Sequence, residues 1–161
     1  KLNDFAKASH TVVASLLGNS YMCGQVLKTA YKPKPSEKLI QIVKQHLYSQ
    51  VNHIGMEVHG HEVSYLGSFP EEGRSEFLVF LDSWTDGFED GLGNLGDGSS
   101  SNTRVLENLA HFGDALWALP GASRLLTYNG SFEYYDFDFD FLALVDVENQ
   151  EIMTVHYGYC E

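Results

Sequence analysis

The sequence contains few cysteines, the residues whose disulfides stabilise many small proteins. Only two cysteines occur, Cys23 and Cys160, and they lie far apart in the chain. Two cysteines form neither a disulfide framework nor a zinc signature. They could pair across the fold of a secreted protein, but the sequence favours two reduced thiols in a cytoplasmic one.

Long apolar runs are also missing. No stretch approaches the roughly 20 apolar residues that cross a bilayer, so we expect no membrane association. Residues 11–17 are too short for a span and lack a signal-peptide context. Only four prolines occur, and 43% of the 161 residues are hydrophobic. That composition favours one folded domain with a sizeable core over a disordered chain.

Positive charge is scarce after residue 56. Residues 1–56 carry seven Lys and two acidic residues, a net charge of +5. Residues 57–161 carry three Arg and twenty acidic residues, a net charge of -17, and the two parts sum to the -12 of the whole chain. Such a field repels nucleic acid and anionic lipid and attracts basic surfaces. We therefore expect a basic protein partner and no direct contact with nucleic acid.

Motifs for phosphate binding and nucleophilic catalysis are absent as well. The sequence has no P-loop, no dinucleotide fingerprint and no Gly-x-Ser-x-Gly elbow. Catalytic groups converge in space rather than in sequence, so these absences do not exclude an enzyme. They favour a non-enzymatic protein and leave the enzyme question open.

The most informative stretch that is present runs from Tyr134 to Val147. Its even-numbered positions from 136 to 140 are aspartates. Its odd-numbered positions are aromatic or small and apolar, and they are Tyr135, Phe137, Phe139, Phe141, Ala143 and Val145. Successive strand side chains point to opposite faces. The pattern predicts a strand with an aromatic underside and an aspartate ladder, defined as Asp136, Asp138 and Asp140. Beyond Phe141 both parities are apolar, which predicts burial on both faces.

The rest of the chain predicts an α+β domain. Apolar residues at helical spacing predict helices near residues 3–17, 36–51 and 102–119, and residues 19–31 are ambiguous. Strand patterns follow near residues 57–69, 76–84, 125–128, 131–147 and 152–159. We expect one acidic domain over residues 1–161, with a helical part at about 1–54 and a sheet-rich part at about 55–161. Its mostly antiparallel sheet of about five strands is expected to carry about three helices on one face.

Asn129-Gly130 is the strongest short turn signal in the chain. Asn-Gly between two apolar runs is typical of a two-residue hairpin turn. The same residues begin an Asn-x-Ser glycosylation sequon, Asn129-Gly130-Ser131, but we interpret them as the hairpin turn that precedes the acidic strand.

Residues 82–102 form an acidic, glycine-rich segment with five Gly. A loop of this length in a compact domain is usually functional or mobile. Residues 86–97 partly follow a calcium-binding loop, with acidic residues at its first, fifth and last positions. Phe88 occupies the third position and the terminal Glu is missing, so a non-standard calcium site and a solvated loop both remain open.

His59-Gly60-His61 offers a second metal hypothesis. Two imidazoles two residues apart lie on one side of a regular strand, and a third ligand would complete a zinc site. Histidines on an exposed strand are the more common case. The aspartate ladder could also hold Mg²⁺, although few basic residues are nearby in sequence to bind a polyanionic substrate.

The residues together predict an acidic, non-enzymatic binding protein of the inhibitor or immunity type, without a cofactor. Enzymes and toxins that act on nucleic acids are basic, and carboxylates can occupy their sites in place of phosphates. The expected binding residues are Asp136, Asp138 and Asp140, Tyr134 as an aromatic anchor, and Asp86, Glu89, Asp90 and Asp97.

Three alternatives remain open. The aspartate ladder could be a solvated sheet face that deters aggregation. The protein could be a metal-dependent enzyme or metal-binding domain, with Ca or Zn at His59 and His61 or in the acidic loop. It could also be a purely structural subunit.

Overall fold

The computed structural model describes residues 2–17, 22–53, 58–68, 122–134 and 137–159. In chain order these form α1 (Leu2–Leu17), β1 (Met22–Ala30), α2 (Leu39–His53), β2 (Val58–Ser68), a 3₁₀ helix (Ala122–Arg124), β3 (Leu125–Tyr134), β4 (Phe137–Asp146) and β5 (Glu151–Tyr159). In this described part of the chain, no helix has both the length and the apolar character needed to cross a membrane.

The five strands make one open antiparallel sheet in the order β1-β5-β4-β3-β2. This confirms the predicted antiparallel sheet of about five strands. The ambiguous residues 19–31 contain β1, which forms one edge and pairs with β5. The helix predicted near 102–119 and the strand predicted near 76–84 lie outside the described residues.

Helix α1 packs on the face of the sheet that carries the even-numbered side chains of β1. Its buried residues recur at helical spacing and are Leu2, Phe5, Ser9 and Val13. A Cβ added to Gly24 of β1 would lie 3.4 Å from Cγ1 of Val13, so the helix passes directly over this glycine. Lys28, on the same face, donates a hydrogen bond to the Asn3 side chain.

Helix α2 packs on the opposite face. Val43 and Leu47 join the main apolar core with residues of β2 to β5. His46 lies 3.0 Å from the hydroxyl of Thr29, which follows Lys28 in β1 and therefore points to the other face. The prediction that the helices share one face is thus wrong, because α1 and α2 contact side chains of opposite parity in β1.

Strand β4 matches its predicted burial pattern. Phe139 and Phe141 are buried, whereas Asp138 and Asp140 are exposed. Leu142 and its neighbours through Val145 are all fully buried, which confirms burial on both faces in the second half of the strand.

Asn129-Gly130 is not a turn but lies inside β3, so the hairpin prediction at this position is wrong. In register, Gly130 pairs with Val63 of β2 and with Phe141 of β4. A Cβ at Gly130 would overlap the backbone carbonyl oxygen of Glu62 and lie 2.7 Å from Cε1 of Phe141. Glycine is needed here because the neighbouring strands approach so closely.

The turn between β4 and β5 is fixed by the buried carboxylate of Asp146. Asn149 donates its backbone N–H at 3.1 Å and its side-chain amide at 2.9 Å. Arg124 adds an ion pair at 3.1 Å. Burial raises the pKa of Asp146, but the Asn149 hydrogen bonds and Arg124 outweigh it and hold the pKa below its ordinary value.

Cys23 of β1 is disulfide-bonded. The prediction of two reduced thiols is therefore wrong at this residue. The sequence offered no spacing rule from which the bond could be inferred, because two cysteines far apart in a chain form no recognisable framework.

Candidate functional site

The register of the sheet brings carboxylates from three adjacent strands to one surface. Glu133 of β3 lies directly opposite Asp138 of β4, and Ser131 lies between Asp140 of β4 and Glu62 of β2. Directly paired residues share a face of the sheet. We define the acidic face as Glu62, Glu133, Asp138 and Asp140, all of which are exposed.

Strand β3 builds the middle of this surface through a strict alternation. Its polar side chains are Thr127, Asn129, Ser131 and Glu133, and the intervening residues are Leu126, Tyr128, Gly130, Phe132 and Tyr134. The second set joins the core on the α2 side, so the first set must point to the other face. Ser64 of β2 donates a hydrogen bond of 3.0 Å to the Asn129 side chain and links the two strands there.

The charges of the acidic face are not neutralised within the described part of the chain. The ion pairs in that part of the chain involve other residues, namely Lys28–Glu151, Lys34–Glu37, Arg124–Asp146 and Arg124–Glu148. Residues two apart on a strand lie about 7 Å apart, and directly opposite Cβ atoms about 5 Å apart. Exposed like charges at such distances repel by about 1 kcal/mol or less per pair in water. The surface is therefore tolerable in the free protein but self-repelling.

Asp140 is the most constrained carboxylate of the face. It pairs in register with Tyr157 of β5, whose hydroxyl donates a hydrogen bond of 3.3 Å to Oδ2. Partial burial raises the pKa of Asp140, the Tyr157 hydrogen bond lowers it, and the Asp138 charge raises it, with a net upward shift. Ionised Asp140 is thus held in place at a cost to stability.

No protein-family model, curated protein or solved structure matches this chain. The chemistry of the described residues is therefore the basis for a function.

Only part of the predicted site is brought together. Asp138 and Asp140 share the acidic face, whereas Tyr134 lies opposite Phe137 on the other side of the sheet. The Tyr134 ring packs nearly perpendicular to Phe139 at 5.9 Å, so it is not an anchor beside the aspartates. The remaining predicted binding residues lie outside the described residues and are Asp136, Asp86, Glu89, Asp90 and Asp97.

The predicted metal ligands His59 and His61 belong to β2. The register shifts between Val58 and Gly60, and His61 pairs with Phe132. The side chains of both histidines lie outside what the structure describes. Among the residues that it does describe, no group of three His, Cys, Asp or Glu side chains could hold a metal ion.

Sequence reasoning missed Glu62 and Glu133. The alternation of polar and apolar residues from Leu126 to Tyr134 was the available signal, and it points to one continuous strand. Interpreting Asn129-Gly130 as a turn interrupted that pattern and hid the carboxylate that lies opposite Asp138.

A second cluster of titratable groups is buried on the α2 side of the sheet. His46 contacts the hydroxyls of Thr29 at 3.0 Å and Thr154 at 3.2 Å. Burial lowers the pKa of His46 to about 4. Burial and the proximity of His46 lower the pKa of His156 to about 4 as well. Because Thr154 is fully buried, this cluster stabilises the fold rather than presenting a nucleophile to a substrate.

Proposed function

We propose that this protein is an acidic, non-enzymatic binding protein of the inhibitor or immunity type, which docks a basic enzyme or toxin on its acidic face. The observation that carries the proposal is the geometry of Glu62, Glu133, Asp138 and Asp140. These four exposed carboxylates come from three adjacent strands, point to one side, and form no ion pair with any described Lys or Arg.

A basic protein surface fits this geometry because it supplies the missing counter-charges. Arg and Lys side chains of a partner would bond the carboxylates in the positions where that partner otherwise bonds phosphates. The charge of -17 after residue 56 would steer the two proteins together, and the close contacts would set the complex lifetime. The acidic residues of the 82–102 segment contribute to this negative charge and are proposed to take part in binding.

The disulfide at Cys23 bears on the compartment in which the protein acts. A cytoplasmic location stays a prediction, but disulfides form and persist mainly in oxidising compartments. Because Cys23 is disulfide-bonded, we propose that the protein meets its partner in an oxidising compartment, with the cytoplasm as the alternative.

A comparative capture experiment tests the proposal. Immobilised wild-type protein, the double variant Glu133→Gln/Asp138→Asn and the control Glu148→Gln are each exposed to host lysate and to the host's extracellular fraction. Glu148 is an exposed carboxylate in the β4–β5 turn, away from the acidic face, so its variant controls for a general loss of charge.

The expected result is one basic protein that the wild type and Glu148→Gln retain at low salt and release at higher salt. The double variant should retain much less of it. Equal retention by the double variant and the wild type would contradict the proposed surface.

The metal hypothesis for His59 and His61 or the acidic loop stays an alternative with its own test. A ligand that binds only the folded state raises the melting temperature by mass action. A rise with Zn²⁺ that His59→Ala/His61→Ala abolishes, or a rise with Ca²⁺ that the Asp90→Asn variant abolishes, would favour it.

A further inference from the structure

We infer that the side-chain amide of Asn129 is a site of N-linked glycosylation, with Gly130 and Ser131 completing the acceptor sequence. β3 runs through these three residues, so a turn does not account for them. The close approach of the Glu62 backbone and the Phe141 ring accounts for Gly130 alone. Ser131 forms no side-chain hydrogen bond among the described residues, so local bonding does not account for its hydroxyl.

Asn129 points to a side of the sheet from which a transferred sugar can reach solvent. Asn129 and Ser131 alternate with Gly130, and both are partly exposed on the side that carries the acidic face. Ser64 of β2 lies directly opposite Asn129 and donates a hydrogen bond of 3.0 Å to Oδ1. That bond uses the amide oxygen. Within the described contacts it leaves Nδ2, the atom that carries a glycan, without a hydrogen bond.

The side chains next to Asn129 leave room for a first sugar in one direction. Its partner on β4 is Leu142, which is fully buried, so the covered part of this side of the sheet ends beside Asn129. Its partner on β2 is Ser64, which is exposed, and the next residue on the same side of β3 is Ser131. Both serine side chains are short. A sugar on Nδ2 can therefore extend over them without displacing a core side chain.

The disulfide at Cys23 is an independent observation that points the same way. Disulfides form in oxidising compartments, and the lumen of the endoplasmic reticulum is one of them. The same lumen is where eukaryotic cells glycosylate Asn-x-Ser sequences of secreted proteins. The inference thus depends on the oxidising compartment proposed above and not on the acidic face.

The transfer uses an oligosaccharide linked to a lipid diphosphate, and it precedes the pairing of β3. Nδ2 of Asn129 attacks the anomeric carbon of the donor sugar and forms the N-glycosidic bond. The bond from that carbon to the diphosphate oxygen breaks, and the lipid diphosphate leaves with the electron pair. Nδ2 loses one proton to a base of the transferase. β3 then pairs with its neighbours, with the sugar on the exposed side.

A glycan at Asn129 would border the acidic face at one end. Ser131, which pairs with Asp140, lies about 7 Å from Asn129 along β3, and Glu133 lies about 14 Å from it. The Asp140 end of the face is therefore next to the sugar, whereas the pair of Glu133 and Asp138 stays open to a protein partner.

Glycopeptide mapping tests the site. The protein is purified from the lysate and from the extracellular fraction of its host, and its peptide masses are measured before and after treatment with peptide N-glycosidase. Wild type, Ser131→Ala and Ser131→Thr are then expressed in the same host and compared by electrophoresis. Ser131→Ala removes the acceptor sequence but keeps Asn129 and its bond to Ser64, and Ser131→Thr is the matched control that retains the acceptor sequence.

The expected map contains a peptide in which Asn129 carries hexosamine and hexose, and the glycosidase removes this added mass. Wild type and Ser131→Thr should migrate more slowly than Ser131→Ala, and the glycosidase should abolish the difference. Asn129-Gly130-Ser131 is the only acceptor sequence of this kind in the chain, so one shift is expected. Because the sugar is attached before folding, the comparison does not depend on the stability of a variant.

Two results would overturn the inference. One is an Asn129 that carries no sugar in the protein from either fraction. The other is a glycosidase-sensitive shift that persists in Ser131→Ala, because the sugar would then be attached elsewhere. Neither result bears on the acidic face, since the capture experiment changes Glu133 and Asp138 and leaves the acceptor sequence intact.

Discussion

At the scale of single residues, the two faces of the sheet differ in the charge of their ionisable groups. The α2 face holds His46 and His156 neutral, with the pKa of each lowered to about 4. The tyrosines of this face, Tyr31 and Tyr128, have raised pKa values because of burial and are also neutral. The other face presents ionised carboxylates to solvent. Charge is therefore confined to one side of β3 and β4.

His156→Phe should reduce the loss of stability in acid. A histidine with a folded-state pKa of about 4 and an ordinary pKa of 6.5 contributes stability above pH 6.5 that is lost as the pH falls towards 4. At pH 4.5 one such group costs about 2 to 3 kcal/mol. Phe fits between Phe132 and Phe139, whose rings meet His156 edge-on at 5.6 and 6.5 Å, and it removes a buried Nδ1 that has no partner within the described structure.

Urea unfolding at pH 7 and pH 4.5 measures this effect. The wild type should lose about 2 to 3 kcal/mol more between the two pH values than His156→Phe does. An equal loss in both proteins would show that His156 titrates normally in the folded state.

Asp140→Asn should stabilise the free protein at neutral pH. A carboxyl with a raised folded-state pKa contributes stability at low pH that is lost as the pH rises through that pKa. The amide oxygen of Asn can still accept the Tyr157 hydrogen bond, but it carries no charge to desolvate or to repel Asp138. The melting temperature should rise at pH 7, and the gain should vanish below the ordinary aspartate pKa of 3.8. A lower melting temperature at pH 7 would mean that the charge of Asp140 is compensated.

At the scale of elements, the sequence predicts a strand well wherever polarity alternates and one face is buried. β4 shows this, because the aromatic and aspartate parities of Phe137 to Phe141 separate onto two faces as predicted. β1 could not be assigned in this way, since Met22–Ala30 mixes polar and apolar residues on both parities. One of its faces contacts α1 and the other contacts α2, so tertiary packing and not alternation decides its structure.

The prediction of a hairpin turn at Asn129-Gly130 was wrong for a specific physical reason. A local turn signal competes with the pairing of ten residues of β3 against two neighbouring strands, and the pairing prevails. Gly130 has no side chain, and this leaves room for the Phe141 ring beside it. The register of β3 against β4 places Glu133 opposite Asp138. The sequence predicted two aspartates of the acidic face, but the cross-strand glutamates required the register.

Gly130→Ala should destabilise the protein by about 3 kcal/mol, because overpacking forces backbone and side chains apart. The added methyl would meet the Glu62 carbonyl and Phe141. Gly60→Ala is the matched control in β2, because a Cβ there meets nothing within 4 Å. Urea unfolding should show a large loss for the first variant and a change below about 0.5 kcal/mol for the second. Similar stabilities for the two variants would contradict the close approach of β2 to Gly130.

At the scale of the whole molecule, charge is distributed as an asymmetric field. The first 56 residues carry +5 and the remainder carries -17. Negative charge of that size favours solubility but opposes compaction, and under the proposed function it attracts a partner of opposite charge. The acidic face combines this field with an exposed surface on which strand pairing sets the spacing of the acidic residues. Long-range attraction and local fit would then act at the same place.

The rate of association with the captured basic partner tests this account most directly. Asp138→Lys reverses a charge on the acidic face, and the control Glu148→Lys reverses one in the β4–β5 turn. Both variants and the wild type are measured across a range of ionic strength. The account predicts association at least about ten times slower for Asp138→Lys at low salt, with a flatter salt dependence, and a small change for Glu148→Lys. Equal rates and equal salt slopes for Asp138→Lys and the wild type would show that the partner binds elsewhere.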